Sequence, residues 1–275
     1  MNSSTYEFSP IEWMIVTASR RVRDGEVVVV GTQWPIVAAL LAKLTHAPHA
    51  VLCFEGGVIL EDLPARVPLW TGDPVVGSSS SFQGDSLDIL GAVLHGNRAD
   101  LAILTAASVD RFGNINTTCV GPYEHPERRF GGSGGACDFA CLAKRTMIIV
   151  EHHRSRFPSQ VDFITSPGFI KGGSSRVEAG LRPGTGPCCV VTTLGLFVFD
   201  TQGEAVLSGI REGVTIGEVR SQVQWDLKVA SGCGAVSAPS QEELQLLRDT
   251  IDPTGMYIRN RKSHPPLFRP SRSNH

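Results

Sequence analysis

Val27-Val28-Val29-Val30-Gly31-Thr32, a stretch of helical composition from Pro35 to Thr45, and Ala50-Val51-Leu52-Cys53-Phe54-Glu55-Gly56-Gly57 follow one another closely in the chain. The first and last runs are apolar and bounded by turn residues, which predicts two buried strands. Pro35 suits a first helical position, where its missing N–H costs nothing. Ala47-Pro48 stops the helix. Strand–helix–strand is the unit of a parallel sheet, so these residues set the fold class as α/β.

Working outward, Ile11 to Arg23 reads as an amphipathic helix with Ile11, Met14, Ile15 and Ala18 on one face, ended by Asp24-Gly25. Ser86 to His95 reads as a short helix closed by Gly96. Leu101–Leu104, Met147–Val150 and Cys189–Thr192 are further apolar β runs. Leu196–Phe199 and Ala205–Leu207 flank Asp200-Thr201-Gln202-Gly203 as a hairpin, and Gln241 to Arg248 is a late helix. No repeat and no linker divides the chain. The expectation is a single open α/β domain with a mostly parallel sheet flanked by helices over residues 1–258. Residues 259–275, rich in Arg, Ser and Pro, read as a disordered tail.

A chain of 275 residues, 41% hydrophobic, holds a core that needs no disulfide staples. A net charge of -2 gives no nucleic-acid surface. No run reaches the ~18 apolar residues of a membrane helix, and the first residues lack the basic and apolar regions of a signal peptide. Seven scattered cysteines suit free thiols in a reducing compartment, hence the cytoplasm. No CxxC, HExxH or HxH grouping is present, so no metal site is expected.

Glu55 stands at the exit of a buried strand, where open α/β sheets place their ligands. The glycines after it permit a sharp turn and close approach of a ligand. On residues alone it is a reactive group, an ion-pair partner or a solvated strand end. Arg128-Arg129-Phe130-Gly131-Gly132-Ser133-Gly134-Gly135-Ala136 is the densest glycine cluster. Its backbone amides can face an oxyanion or phosphate, or it is a tight turn under a helix; it is neither a Walker loop nor a dinucleotide fingerprint. The polar run Asn114-Ile115-Asn116-Thr117-Thr118 can bind a carboxylate or a pantetheine amide, or it can tie loops. Glu151-His152-His153 with Arg154 and Arg156 can hold anions, with a solvated surface as the default.

Taken in order, several segments resemble the B subunit of glutaconate CoA-transferase, within the class I CoA-transferases, from about Glu12 to about Gly255. They are Gly31-Thr32 with the Pro35 helix, Phe54-Glu55-Gly56-Gly57, Asp110 to Thr118, His125-Pro126, Arg129 to Ala136, Asp162 to Phe169, and Ile251-Asp252-Pro253. The resemblance implies that Glu55 is a nucleophile forming a glutamyl-CoA thioester. It implies that Gly56, Gly57, Ser133, Gly134, Gly135, Ala136, Asn114 and Asn116 line an oxyanion and CoA/acyl site. In the family a serine usually follows the glutamate, where this chain has Gly56. The resemblance further implies a hetero-oligomer with an A subunit, acyl-CoA and carboxylic acids as substrates, and no cofactor, since the CoA thioester is itself a substrate. The alternatives are an acyl-CoA hydrolase or decarboxylase with Glu55 as general base, or a non-catalytic subunit that stabilises its partner.

Overall fold

The computed structural model describes residues 7–259. Among them, ten strands form one sheet: β1 (Val27–Val30), β2 (Val51–Phe54), β3 (Val58–Leu60), β4 (Ser80–Gln83), β5 (Leu101–Thr105), β6 (Arg145–Val150), β7 (Pro187–Thr192), β8 (Gly195–Phe199), β9 (Ala205–Ile210) and β10 (Lys228–Ala235). Their spatial order is β10-β9-β8-β7-β6-β5-β1-β2-β3-β4. The middle run β7-β6-β5-β1-β2 is parallel throughout. Antiparallel strands extend it at both sides, with β8 and β9 forming the expected hairpin; β10 returns parallel to β9.

Both faces of the sheet are covered. Val28, Val30, Leu52, Phe54 and Ile103 pack against α1 (Pro10–Ser19), α2 (Trp34–Leu44) and the helical segment that starts at Gln241. Val29, Cys53, Ala102 and Leu104 point the other way, into a cluster with α3 (Ala136–Leu142) and the segment Asp88–His95. Burial on both faces explains why these strands read as unbroken apolar runs rather than alternating ones. Each buried Val, Leu or Ile contributes roughly 1.5–3 kcal/mol.

α1 differs from expectation in two ways. It ends at Ser19 rather than Arg23, because Arg21 and Val22 already donate to the carbonyls three residues back. It is also not amphipathic: Trp13, Met14, Ile15, Val16 and Ala18 are all fully buried, so the helix lies between two packed neighbours. Ser9 and Glu12 cap its start reciprocally, and Glu12 also pairs with Arg248 at 2.6 Å across the chain. The segment Asp88–His95 is wound as a π-helix, closed as expected at Gly96.

β1 sits where the chain reverses direction across the sheet, with β2 on one side and β5 on the other. The carboxyl edge there is the switch-point crevice of an open α/β sheet. Gly31 ends β1 and donates to the Ile103 carbonyl at 2.9 Å; a Cβ on it would stand 2.7 Å from that oxygen. The polar tail expected from residue 259 lies outside the described residues except for Arg259, whose amide donates to the Gly255 carbonyl.

Candidate active site

Glu55 follows β2 directly and is half-buried on the carboxyl side of the sheet. Gly57, at φ +98°, turns the chain back into β3, its amide donating to Phe54 at 3.0 Å. Gly56 serves a different purpose. A Cβ there would meet the Gly72 Cα at 2.8 Å and the Thr71 carbonyl at 2.9 Å. The segment from Arg66 to Asp73 thus rests on the turn that carries Glu55, and a serine at position 56 requires this backbone to shift. That segment is firmly anchored. Asp73 accepts from Arg66 at 2.7 Å and from the Leu69 and Val75 amides, and the Tyr257 hydroxyl donates to the Pro68 and Leu69 carbonyls. Burial alone would raise the Asp73 pKa; Arg66 and the two amides outweigh it and hold the carboxyl below its ordinary value.

The glycine cluster arrives from a distant part of the chain. Gly135 donates its N–H to Glu55 Oε1 at 2.9 Å. A Cβ on Gly135 would stand 2.9 Å from Glu55 Cδ, whereas one on Gly134 would sit at an ordinary 3.5 Å from Oε1. Gly134 at φ +50° followed by Gly135 at φ -77° alternates the backbone hand, which turns successive amides toward one concavity. Among the described residues, the Ser133 and Gly134 amides donate to no protein acceptor. The Ala136 amide differs from expectation: it donates to the Ser133 carbonyl at 3.0 Å, closing the turn into α3, so it is spent. The loop therefore leaves Ser133 and Gly134 as unspent backbone donors near a carboxylate whose Oε1 is held by Gly135 and whose Oε2 is free.

Asn114 and Asn116 also differ from the expected role. The Asn114 side-chain amide donates to Asp110 and to the Ile170 carbonyl at 2.8 Å, while its oxygen accepts from Gly168 and Ile170. Asn116 donates to Cys119 and accepts from Thr118 and Cys119. Both are buried and bonded to neighbouring loop backbone, so in this structure they tie loops. Their neighbours hold the glycine cluster in place: Gly132 donates to the Thr117 carbonyl at 2.9 Å, and the Thr117 hydroxyl donates to the Gly132 carbonyl at 2.8 Å. Burial raises the pKa of Asp110 against the opposing pull of Asn114 and of the Phe112, Asn114 and Val161 amides.

His152 is not a solvated surface group. It is buried, stacked on Phe157 at 4.5 Å and near Phe197 at 5.8 Å, with Thr192 Oγ1 at 3.0 Å from Nδ1. Burial pushes its pKa down to about 4. Arg154 Nη1 donates to the Ser221 and Val223 carbonyls. All seven cysteines are free thiols. Among the described residues, no cluster of three His, Cys, Asp or Glu side chains is placed to hold a metal, and no helix is long and apolar enough to cross a membrane. Sequence reasoning missed the Arg66–Asp73 segment. Its only signal was Gly56, read there as freedom for a ligand rather than as room for backbone.

The model of the coenzyme A transferase family matches residues 11–222. The chain is 37% identical over 242 residues to the B subunit of 3-oxoadipate CoA-transferase from Pseudomonas knackmussii, covering 88% of this chain and 92% of that one. It is 32% identical over 255 residues to the B subunit of glutaconate CoA-transferase from Acidaminococcus fermentans, covering 90% and 94%. The crystal structure of glutaconate CoA-transferase from Acidaminococcus fermentans superposes with a TM-score of 0.86 at 31% identity, over 94% of this chain and 100% of that chain.

Proposed function

The chain belongs to the coenzyme A transferase family, and from that premise we propose that it is the B subunit of a heteromeric enzyme in which Glu55 carries CoA from an acyl-CoA to a carboxylic acid. The single observation that supports this role is Glu55 itself: a strand-end carboxylate at the switch-point edge, held through one oxygen by the Gly135 amide.

The free Glu55 oxygen attacks the thioester carbonyl carbon, the C–S bond breaks, and CoA leaves as a thiolate. The product is a mixed anhydride between Glu55 and the acyl group. The thiolate then attacks the glutamyl carbonyl, the first acid departs as a carboxylate with the bridging oxygen, and Glu55 is left as a CoA thioester. An incoming carboxylate reverses the sequence, which makes the kinetics ping-pong. Each attack creates a tetrahedral oxyanion. The unspent Ser133 and Gly134 amides are available as donors for it, worth on the order of 10²–10³ in rate per donor. The steps are acyl transfers and call on neither a redox group nor a metal. Both relatives are named as B subunits, one part of a larger enzyme, which supports an A subunit completing the pocket over Glu55. Free thiols support a reducing cytoplasmic setting.

The test uses the co-expressed A–B complex. After incubation with acyl-CoA, borohydride should reduce a glutamyl thioester to an alcohol, with the mass change confined to the Glu55 peptide. No change at Glu55 in a complex that turns over acyl-CoA defeats the covalent reading. Acyl-CoA consumption without any acceptor acid makes Glu55 a base toward water instead.

A further inference from the structure

Cys188 and Cys189 stand at the start of β7, on the amino edge of the sheet, opposite the edge that carries Glu55. Independently of the reading of Glu55, we propose that Cys188 is a thiolation site. It attacks small-molecule disulfides and keeps the incoming group as a mixed disulfide, with Cys189 as the hydrogen-bond donor that activates it.

Consecutive residues of a strand point to opposite faces, and a bulge breaks that rule here. Thr146 of β6 pairs with Pro187 and Met147 pairs with Cys189, which leaves Cys188 as the extra residue. Both thiols therefore lie on one face, against the cluster that holds Met147, Ile149 and Val191. Their sulfurs are 3.8 Å apart, and Arg145 Nη1 donates to Cys188 Sγ at 3.9 Å. Arg145 Nη2 pairs with the Glu26 carboxylate at 2.5 Å, which fixes the guanidinium beside the sulfur. Cys188 is half-buried and Cys189 is buried.

The arrangement gives the two thiols different chemistry. The Cys189 hydrogen bond, helped by the charge of Arg145, outweighs burial and pulls the Cys188 pKa down to about 7. The same hydrogen bond and burial push the Cys189 pKa well up, against the pull of Arg21 and Arg145. Near pH 7 Cys188 is thus available as a thiolate while Cys189 keeps its proton. A thiol whose pKa lies near the ambient pH is the best attacker of a disulfide. Burial pushes Cys53 up to about 12 and Cys141 up to about 11, so neither competes. In the step itself the Cys188 sulfur attacks one sulfur of R–S–S–R. The new S–S bond forms as the old one breaks, and R–S⁻ leaves with the electron pair and takes a proton from solvent. The small-molecule disulfide is the oxidant. Cys189 does not displace the attached group, because consecutive Cα atoms are ~3.8 Å apart and ordinary disulfides span about 4.4–6.8 Å. The adduct persists until an outside thiol removes it.

The experiment treats the A–B complex with 2-hydroxyethyl disulfide, a small neutral probe, from about pH 6 to 9. Each cysteine peptide is followed by mass spectrometry after acid quench. A single adduct should form, on Cys188, at a rate that is half-maximal near pH 7. Cys137 and Cys233, also half-buried, should react more slowly at that pH. Cys189→Ala should raise the half-maximum toward about pH 8.5, the ordinary thiol value. Arg145→Gln should raise it by less. Four results overturn the inference: no adduct on Cys188 below about pH 8; Cys137 or Cys233 reacting as fast as Cys188 at pH 7; a Cys188–Cys189 disulfide as the product; or a half-maximum left in place by Cys189→Ala. Should Cys189→Ala fail to assemble, a half-maximum left in place by Arg145→Gln overturns it equally. The readout is a thiol mass rather than CoA transfer, so its failure and that of the Glu55 reading are separate results.

Discussion

Glu55 and Asp110 are both strand-end carboxylates with a glycine close behind, and their surroundings are opposite. Asp110 is buried and bonded by the Asn114 side chain and by the Phe112, Asn114 and Val161 amides. Glu55 is half-buried and is held by a single amide, that of Gly135. Asp110 has both oxygens engaged and is part of the scaffold. Glu55 keeps lone pairs unengaged beside a loop in which the Ser133 and Gly134 amides donate to no protein acceptor among the described residues. The contrast separates a fully bonded carboxylate from the one proposed to react, and does so by hydrogen bonding rather than by depth in the fold.

The largest expected effect comes from exchanging the roles. Glu55→Gln should lower CoA transfer by the order of 10⁴ or more, as loss of a nucleophile does, with no change in the denaturation midpoint. Asp110→Ala should do the reverse. It strands the Asn114 side-chain donor and three backbone amides, costing about 4 kcal/mol in urea unfolding, with activity lost only in proportion to unfolded protein. An Asp110→Ala complex that is stable but inactive breaks the comparison.

Next in size, Gly135→Ala should cut turnover about 10²–10³-fold with the fold intact, because its Cβ displaces Glu55 and disturbs the donor amide. Gly134→Ala should cost less, since its Cβ has room and only the φ of +50° resists it. Equal losses at the two positions would show that the loop acts through flexibility rather than contact.

The smallest effect concerns His152, a second buried titratable group with no expected part in the chemistry. Its folded pKa of about 4 lies below that of an unfolded histidine. Between those values the unfolded chain binds the proton and the native one does not, so stability rises with pH. It should be fully present above about pH 6.5 and lost as pH falls toward 4, by at most ~3 kcal/mol. His152→Leu should flatten this slope in urea titrations at pH 7, 5.5 and 4.5. An unchanged slope places the titration elsewhere.

The strand–helix–strand over residues 27–57 was legible because strands buried on both faces leave unbroken apolar runs. Glu55 was legible because its strand is. The loop contacts of Asn114 and Asn116 were not legible for a physical reason: composition records that an amide can bond, not whether its neighbours have already used it. The contact of Gly56 with Gly72 was invisible for another reason. It depends on where separate loops meet across the sheet edge, and no local pattern encodes that.

The single bond from Gly135 to Glu55 also makes the two carboxylate oxygens unequal. In the proposed cycle one glutamyl oxygen leaves with the released acid, and the acceptor acid returns one of its own to the same carbon. If Gly135 keeps Oε1 throughout, Oε2 alone is exchanged at every cycle while Oε1 stays with the protein from synthesis onward. Turnover with isotopically heavy oxygen in the acceptor acid should then load Glu55 with one heavy atom and stop there. A second heavy atom would show that the carboxylate rotates between cycles, and the rate of its appearance would time how often that amide lets go.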